Sequence, residues 1–178
     1  MRSLRVNKTI LFCLSLLSAF AIFDHISAQG SIHVHNGNCI ASALDASHNE
    51  ADDPWAKSDL ITPDELAGSL SDGKKRVILQ MGIIHLYKLS HIPGAKFIGP
   101  GSDGESLAKL KKELQDVPRT TEVVYYCGCC PWGDCPNIRP PYKALQEMGF
   151  KKVRILYLQN SFAADWVTKG LPVEKGGA

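Results

Sequence analysis

The chain has little net charge and no basic stripe. It holds 20 Lys and Arg against 18 Asp and Glu in 178 residues. Three of the basic residues (Arg2, Arg5 and Lys8) and one acidic residue (Asp24) fall within residues 1–28, so the rest of the chain carries 17 charges of each sign. Nucleic-acid binding requires a basic surface, and stacking on bases requires aromatics set among arginines; the sequence shows neither. We therefore expect no nucleic-acid partner.

The sequence also lacks an apolar run long enough to span a bilayer, which needs about 20 residues. The apolar stretch of residues 9–23 covers fifteen positions, follows the basic residues and is followed by small residues ending at Ala28. This order is typical of a secretory signal peptide, with an uncleaved anchor as the alternative. We predict a signal peptide over residues 1–28, cleavage before Gln29, and an exported protein, periplasmic or secreted, without stable membrane association after cleavage.

No internal repeat divides the chain, and residues 29–54 lack a sustained apolar period. We interpret this polar stretch as a flexible N-terminal segment before a single domain over residues 55–177. The segment contains His33, His35 and Cys39, and the two histidines would lie on one side of an extended strand, as metal ligands can. Solvated side chains are the interpretation that the composition favours.

From Trp55 onward, helix and strand patterns alternate. "ITPDEL" places Thr62 as the N-cap, Pro63 at the first helical position and Glu65 three residues after the cap, which predicts a helix with a capping box. "RVILQM", "AKFIG", "TEVVYYC" and "KKVRILYL" are typical of strands. Helical patterns separate or follow them in "IIHLYKL", "ESLAKLKKELQDV", "RPPYKALQEMGF" and "NSFAADWVTKG", the last with Asn160 as its predicted cap. This alternation predicts a three-layer α/β fold with a mostly parallel central sheet flanked by helices.

Four of the six cysteines lie within nine positions, in "YYCGCCPWGDCPNIRP". Cys13 would leave with the signal peptide, and the remaining odd number ensures at least one cysteine without an internal disulfide partner. Export favours oxidised cysteines. The cluster follows a predicted strand and precedes a predicted helix, which is the junction where parallel sheets place their sites.

Four motifs, taken in their order and spacing, resemble a single rhodanese domain, the sulfurtransferase fold. They are "ITPDEL", "SHIPGA", "VVYYC" and the C-terminal pair "ALQEMGFKKVRIL" and "DWVTKGLPVEKG". The resemblance implies that Cys127 carries sulfur as a persulfide, a role that requires an exposed thiol with a stabilised anion. It also implies that the loop amides of Gly128, Cys129 and Cys130, with Arg139, bind a small anionic sulfur donor such as thiosulfate. A thiol or cyanide would be the acceptor, and no cofactor or metal ion is implied.

The cysteine loop is several residues longer than the C-x-x-G-x-R loop of the family. Counting from the strand selects Cys127 as the nucleophile. Counting back from the helix makes Cys129, Cys130 and Cys135 its rivals, so the assignment stays open among the four. Trp132, which lies on this loop, is either a lid over the site or its hydrophobic anchor.

Three other functions remain open. The D-x-R pattern of the family is replaced by Gln80 and Gly82, which favours a non-catalytic rhodanese-like binding module. The pattern C-x-C-C-x4-C offers four soft ligands for zinc or copper, although the paired C-x2-C units of zinc sites are absent. The third is thiol–disulfide redox chemistry, in which a neighbour resolves Cys127 or a bridge joins Cys129 or Cys130 to Cys135.

Overall fold

The computed structural model describes residues 53–177. The predicted signal peptide and almost all of the predicted flexible segment, with His33, His35 and Cys39, lie outside the described residues. Within residues 53–177, no helix is both long enough and apolar enough to cross a membrane.

Five parallel strands form one sheet in the order β1-β5-β4-β2-β3. Their bounds are β1 Leu60–Ile61, β2 Arg76–Gln80, β3 Lys96–Phe97, β4 Glu122–Tyr126 and β5 Lys152–Leu156. Strand β4 lies at the centre, and its last residue, Tyr126, is paired with Gln80 of β2. The Met81 N–H then donates to the Tyr126 carbonyl at 2.7 Å. Cys127, the next residue, is therefore placed in the middle of the carboxyl edge of the sheet.

Helices cover both faces of the sheet. Their bounds are α1 Pro63–Ser69, α2 Ile84–Leu89, α3 Gly104–Glu113 and α4 Arg139–Glu147, followed by a π-helical turn at Ala163–Val167. Val123 and Tyr125 of β4 share a hydrophobic core with residues of α3 and α4, whereas Val124 and Tyr126 share a second core with residues of α1 and the π-helical turn. This alternation confirms the predicted three-layer α/β fold. Cys127 belongs to the first core.

Local sequence signals explain where the helices begin. The Thr62 hydroxyl accepts the Glu65 N–H at 3.3 Å, and the Glu65 carboxylate accepts the Thr62 N–H at 2.8 Å, which confirms the predicted capping box. The last helix differs from its prediction, since its N-cap is Phe162 and not Asn160. The Asp165 carboxylate instead accepts the backbone N–H of Asn160 at 2.6 Å. A carboxylate inside the helix thus holds the turn that precedes it.

Candidate active site

Cys127 is the first residue after β4, and the chain turns sharply behind it. Gly128 has a φ of 77°, in the left-handed region that residues with a side chain rarely adopt. A Cβ at Gly128 would also lie 2.5 Å from the Phe162 Cβ. The Gly128 carbonyl accepts the Phe162 N–H at 3.0 Å. Glycine at this position therefore lets the loop leave the strand directly against the start of the last helix.

The loop of residues 128–138 is held by an aromatic anchor. Trp132 is buried. Its ring packs edge-on against Trp55 at 5.6 Å between centroids and lies tilted against Tyr157 at 4.8 Å. Its backbone N–H donates to the Gln159 carbonyl at 3.1 Å. Of the two roles that the sequence left open for Trp132, the structure shows the anchor.

Three reduced cysteines bring their sulfur atoms together behind the turn. The Sγ atoms of Cys127, Cys129 and Cys135 all lie within 4.8 Å of one another, and those of Cys127 and Cys129 are 3.0 Å apart. Cys130 is disulfide-bonded, to none of these three, and its Sγ lies 3.1 Å from that of Cys129. The predicted bridge from Cys129 or Cys130 to Cys135 is therefore not formed, and the loop keeps a cluster of thiols.

Asn137 completes the surroundings of the sulfurs and was not predicted from the sequence. Its Nδ2 donates to the Cys127 Sγ at 3.3 Å and to the Cys129 Sγ at 3.7 Å. Its Oδ1 accepts from the backbone N–H and the hydroxyl of Ser102 at 3.0 and 2.9 Å. Because the backbone N–H of Ser102 can only donate, it must face Oδ1, and it thereby fixes which end of the buried amide faces the sulfurs. The only sequence signal was a polar residue between Pro136 and the helix.

The hydrogen bonds around Cys127 favour its thiolate. The pKa of Cys127 is lowered to about 3, first because the Cys129 thiol donates to it and next because the Cys135 thiol does; burial opposes this shift. The backbone N–H of Cys129 and the side chain of Asn137 also lower the pKa. The pKa of Cys129 is raised to about 12 and that of Cys135 is raised further, chiefly because each proton is held by Cys127. The result is one thiolate that accepts from two protonated thiols.

The residues that replace the D-x-R pattern contact Cys127 directly. The Gln80 side-chain amide donates to the Cys127 carbonyl at 3.4 Å. A Cβ at Gly82 would lie 3.0 Å from that carbonyl and 3.3 Å from the Cys127 Sγ. A side chain at residue 82 would thus have to displace these atoms. The end of β2 and the β2–α2 turn therefore approach Cys127 closely at these two positions.

Arg139, which was predicted to bind the donor anion, contacts the segment before β1. Its Nη2 lies 2.9 Å from the Asp53 carboxylate, and its guanidinium carbon lies 5.6 Å from the centroid of the Trp55 ring. Its Nη1 donates to the Cys135 carbonyl at 3.3 Å. Arg139 therefore joins the start of the domain to the cysteine loop, and its role in donor binding stays a prediction.

The loop backbone supplies the Cys129 N–H to the Cys127 sulfur. Further along the loop, the N–H groups of Trp132, Asp134 and Cys135 donate to carbonyl oxygens instead. Cys127 is therefore surrounded by donors of mixed origin: thiols, a side-chain amide and a backbone amide. The predicted contribution of the Gly128 and Cys130 amides to donor binding stays a prediction.

Access to Cys127 is restricted. This residue is only 1% exposed, whereas Cys129 is half-buried. A cavity of about 10 Å³ lies beside Cys127, lined largely by apolar groups such as Trp132, Ile138 and Leu158. That volume has room for about one atom. It suits the outer sulfur of a persulfide and is too small for a whole thiosulfate ion. The exposure predicted for the nucleophile is thus not observed, because Cys127 is buried.

The same three sulfurs could hold a metal ion. Thiolates select soft ions such as Cu(I) and Zn(II), and structural zinc takes four ligands. Cys127, Cys129 and Cys135 offer three sulfurs, and Cys130 is already disulfide-bonded. The donor set therefore fits a three-coordinate cuprous ion better than zinc.

Comparison with known proteins agrees with this architecture. The family model of the rhodanese-like domain matches residues 62–162. The crystal structure of the BH2092 protein from Bacillus halodurans has a TM-score of 0.50 at 19% identity, over 65% of this chain and 75% of that one. The likeness at this identity concerns the fold. No curated protein matches the sequence.

Two further solved structures show weaker likeness. A rhodanese-like domain from Anabaena has a TM-score of 0.49 at 19% identity, over 66% of this chain and 79% of that one. A thiosulfate sulfurtransferase from Pseudomonas aeruginosa has a TM-score of 0.48 at 21% identity, over 67% of this chain but only 20% of that longer one.

Proposed function

The chain belongs to the rhodanese-like domain family, and we propose that it is an exported sulfurtransferase that carries a sulfane sulfur on Cys127. The observation that carries this proposal is the position and environment of one sulfur atom. Cys127 follows the central strand, and its Sγ accepts from the Asn137 amide at 3.3 Å and lies 3.0 Å from the Cys129 Sγ. Such donors stabilise the thiolate, which is the form that attacks sulfane sulfur.

The proposed reaction has two half-reactions. The Cys127 thiolate attacks the outer sulfur of a donor such as thiosulfate, the S–S bond of the donor breaks, and sulfite leaves: Cys127–S⁻ + S–SO₃²⁻ → Cys127–S–S⁻ + SO₃²⁻. A thiol or cyanide then takes the outer sulfur, and the Cys127 thiolate returns. The cavity beside Cys127 offers a place for the outer sulfur between the two steps. Neither step calls on a cofactor.

Donor binding requires movement of the loop of residues 128–138, because Cys127 is buried. We place the anionic end of the donor against Arg139 and the backbone amides of Gly128, Cys129 and Cys130 once the loop has moved. Arg139 would then exchange the Asp53 carboxylate for the donor. An arginine suits this task because its planar guanidinium can bind two oxygens of an anion at once.

The test is sulfur transfer by protein purified after export. Thiocyanate should form from thiosulfate and cyanide, Cys127→Ser should abolish it, and Cys135→Ser should only weaken it. Unchanged circular dichroism would show that each variant is folded. Absence of thiocyanate with every donor tried, and no gain of mass by Cys127, would favour the non-catalytic binding module. N-terminal sequencing of the exported protein tests cleavage before Gln29.

Metal binding is the second candidate function, favoured by three thiols whose sulfurs lie within 4.8 Å. It predicts about one copper ion per chain in protein purified without added metal and without a chelator. Loss of that copper in the Cys135→Ser variant would support it. If the protein transfers sulfur at full rate without any bound metal, metal binding is contradicted and sulfur transfer stands as the function of the site.

A further inference from the structure

We propose that Cys129 resolves the Cys127 persulfide, so that the site releases its sulfur as sulfide when no acceptor takes it. This inference rests on the proposed function, because it needs a persulfide on Cys127. It adds a second activity to the same site: reduction of a sulfane sulfur, coupled to formation of a disulfide between Cys127 and Cys129.

The distance between the two sulfurs carries the inference. The Sγ atoms of Cys127 and Cys129 are 3.0 Å apart, and a disulfide bond is about 2.05 Å long. A relative movement of about 1 Å therefore separates the observed contact from a covalent bond. The Asn137 amide lies within hydrogen-bonding distance of both sulfurs, at 3.3 and 3.7 Å, and so holds them side by side. Attack by Cys129 on the inner sulfur of the persulfide would therefore begin from two sulfurs that are already in contact.

The other two cysteines of the loop are less suited to this role. Cys130 is already disulfide-bonded. Cys135 is buried, so a disulfide that included it would be hidden from an external reductant. Cys129 is half-buried, and a disulfide between Cys127 and Cys129 would present one sulfur to solvent. Cys129 would therefore serve both as the resolving thiol and as the sulfur that an external reductant can reach.

The step balances in atoms and electrons. The Cys129 sulfur attacks the Cys127 sulfur, the bond between Cys127 and the outer sulfur breaks, and the Cys129 proton leaves with the outer sulfur: Cys127–S–S⁻ + Cys129–SH → Cys127–S–S–Cys129 + HS⁻. The outer sulfur gains two electrons, and the two cysteines are oxidised to a disulfide. An external dithiol then reduces the disulfide by exchange and restores both thiols.

The experiment treats the exported protein with thiosulfate in the absence of any acceptor thiol and measures sulfide and intact mass. The wild-type protein should release about one sulfide per chain and lose about 2 Da, the mass of two hydrogens. Cys129→Ser should release no sulfide and should gain about 32 Da, the mass of one sulfur. Cys135→Ser removes the other thiol that donates to Cys127 but keeps Cys129, so it should still release about one sulfide per chain, although more slowly than the wild-type protein.

Each other outcome has a defined meaning. Wild-type protein that keeps the added sulfur and releases no sulfide overturns the inference and leaves the proposed sulfur transfer intact. Release of sulfide by Cys129→Ser assigns the resolving role to another cysteine and also overturns it. If Cys129→Ser takes up no sulfur while the wild-type protein does, Cys129 is required for sulfur uptake itself, and its assignment as resolving thiol is overturned. If no variant gains sulfur and none releases sulfide, the proposed function itself fails.

Discussion

The side-chain amide of Asn137 donates to the Cys127 sulfur at 3.3 Å, and Ser102 holds the oxygen of the same amide. A hydrogen bond to a charged group contributes about 1.5–3 kcal/mol. We therefore expect Asn137→Ala to raise the Cys127 pKa, so that formation of the Cys127 persulfide begins to slow at a higher pH than in the wild-type protein. The rate of mass gain from thiosulfate, followed as the pH is lowered, measures this effect. Asn137→Asp should form the persulfide more slowly still, because a carboxylate beside Cys127 disfavours the negative charge of the thiolate.

Two comparisons make the Asn137 result specific. Ser102→Ala leaves the Asn137 amide in place but removes the hydrogen bond that the Ser102 hydroxyl donates to its oxygen. Its effect should therefore be smaller than that of Asn137→Ala. Asn160→Ala changes an asparagine whose side chain pairs with Asp165 near the last helix, and it should leave the rate unchanged. Equal rates in Asn137→Ala and the wild-type protein throughout the acidic range would show that this amide does not stabilise the thiolate.

The sequence was informative for several features that depend on neighbouring residues, although the predicted Asn160 cap was wrong. The capping box of Thr62 and Glu65 and the order of strands and helices depend on local patterns, and both were predicted. Strand β1 was not, because two residues are too short for a periodic pattern. Asn137 was not either, because its role arises where three separate segments meet, at Ser102, Cys127 and Asn137 itself. The burial of Cys127 likewise depends on how the long loop folds back, which spacing alone does not fix.

We predict that Gly82 is required for sulfur transfer by Cys127. A Cβ at this position would lie 3.0 Å from the Cys127 carbonyl, so Gly82→Ala must displace the cysteine or the β2–α2 turn. We expect a loss of about 1–3 kcal/mol in unfolding free energy from overpacking, and a larger proportional loss of thiocyanate formation. Gly68→Ala is the matched control: it lies in α1 with open space around the added Cβ and should be neutral or stabilising. Full activity in Gly82→Ala would show that the site tolerates a displaced Cys127.

Asp53 is predicted to compete with the donor for Arg139. The two side chains are 2.9 Å apart, and both are largely buried. Arg139→Gln should raise the KM for thiosulfate, since it removes the proposed anion-binding charge. Asp53→Asn should lower the same KM, because it weakens the ion pair with which the donor must compete. Steady-state kinetics of thiocyanate formation measure both. A KM that is unchanged in both variants, with altered unfolding free energy, would give the pair a structural role alone.

Trp132 is predicted to control access to the cysteines. Its ring is packed between Trp55 and Tyr157, and replacement of a buried tryptophan by alanine costs about 3–5 kcal/mol. Trp132→Ala should therefore lower the unfolding free energy and increase the rate at which a bulky maleimide labels Cys127. Trp132→Phe keeps an aromatic anchor, so its unfolding free energy and its labelling rate should lie between those of the wild-type protein and of Trp132→Ala. If labelling in Trp132→Ala stays as slow as in the wild-type protein, the loop opens by a movement that does not involve this anchor.

The ionisation of Cys127 gives the site a defined pH dependence. Its pKa is lowered to about 3, chiefly by the Cys129 thiol, so its thiolate should persist as the pH falls from neutral to near that value. An unfolded cysteine has a pKa of about 8.5, so the thiolate contributes its full stability above about that pH, and the contribution is lost as the pH falls toward the folded pKa. Thiolate ultraviolet absorbance at about pH 6, in chelator-treated protein, should correspond to one group per chain, and Cys127→Ser should abolish it. Cys129→Ser keeps a weaker hydroxyl donor beside the sulfur and should raise the pH at which the absorbance disappears. Absorbance that appears only near the usual cysteine pKa would mean that the surrounding donors do not hold the anion, and sulfur transfer would then increase steeply with pH above neutral.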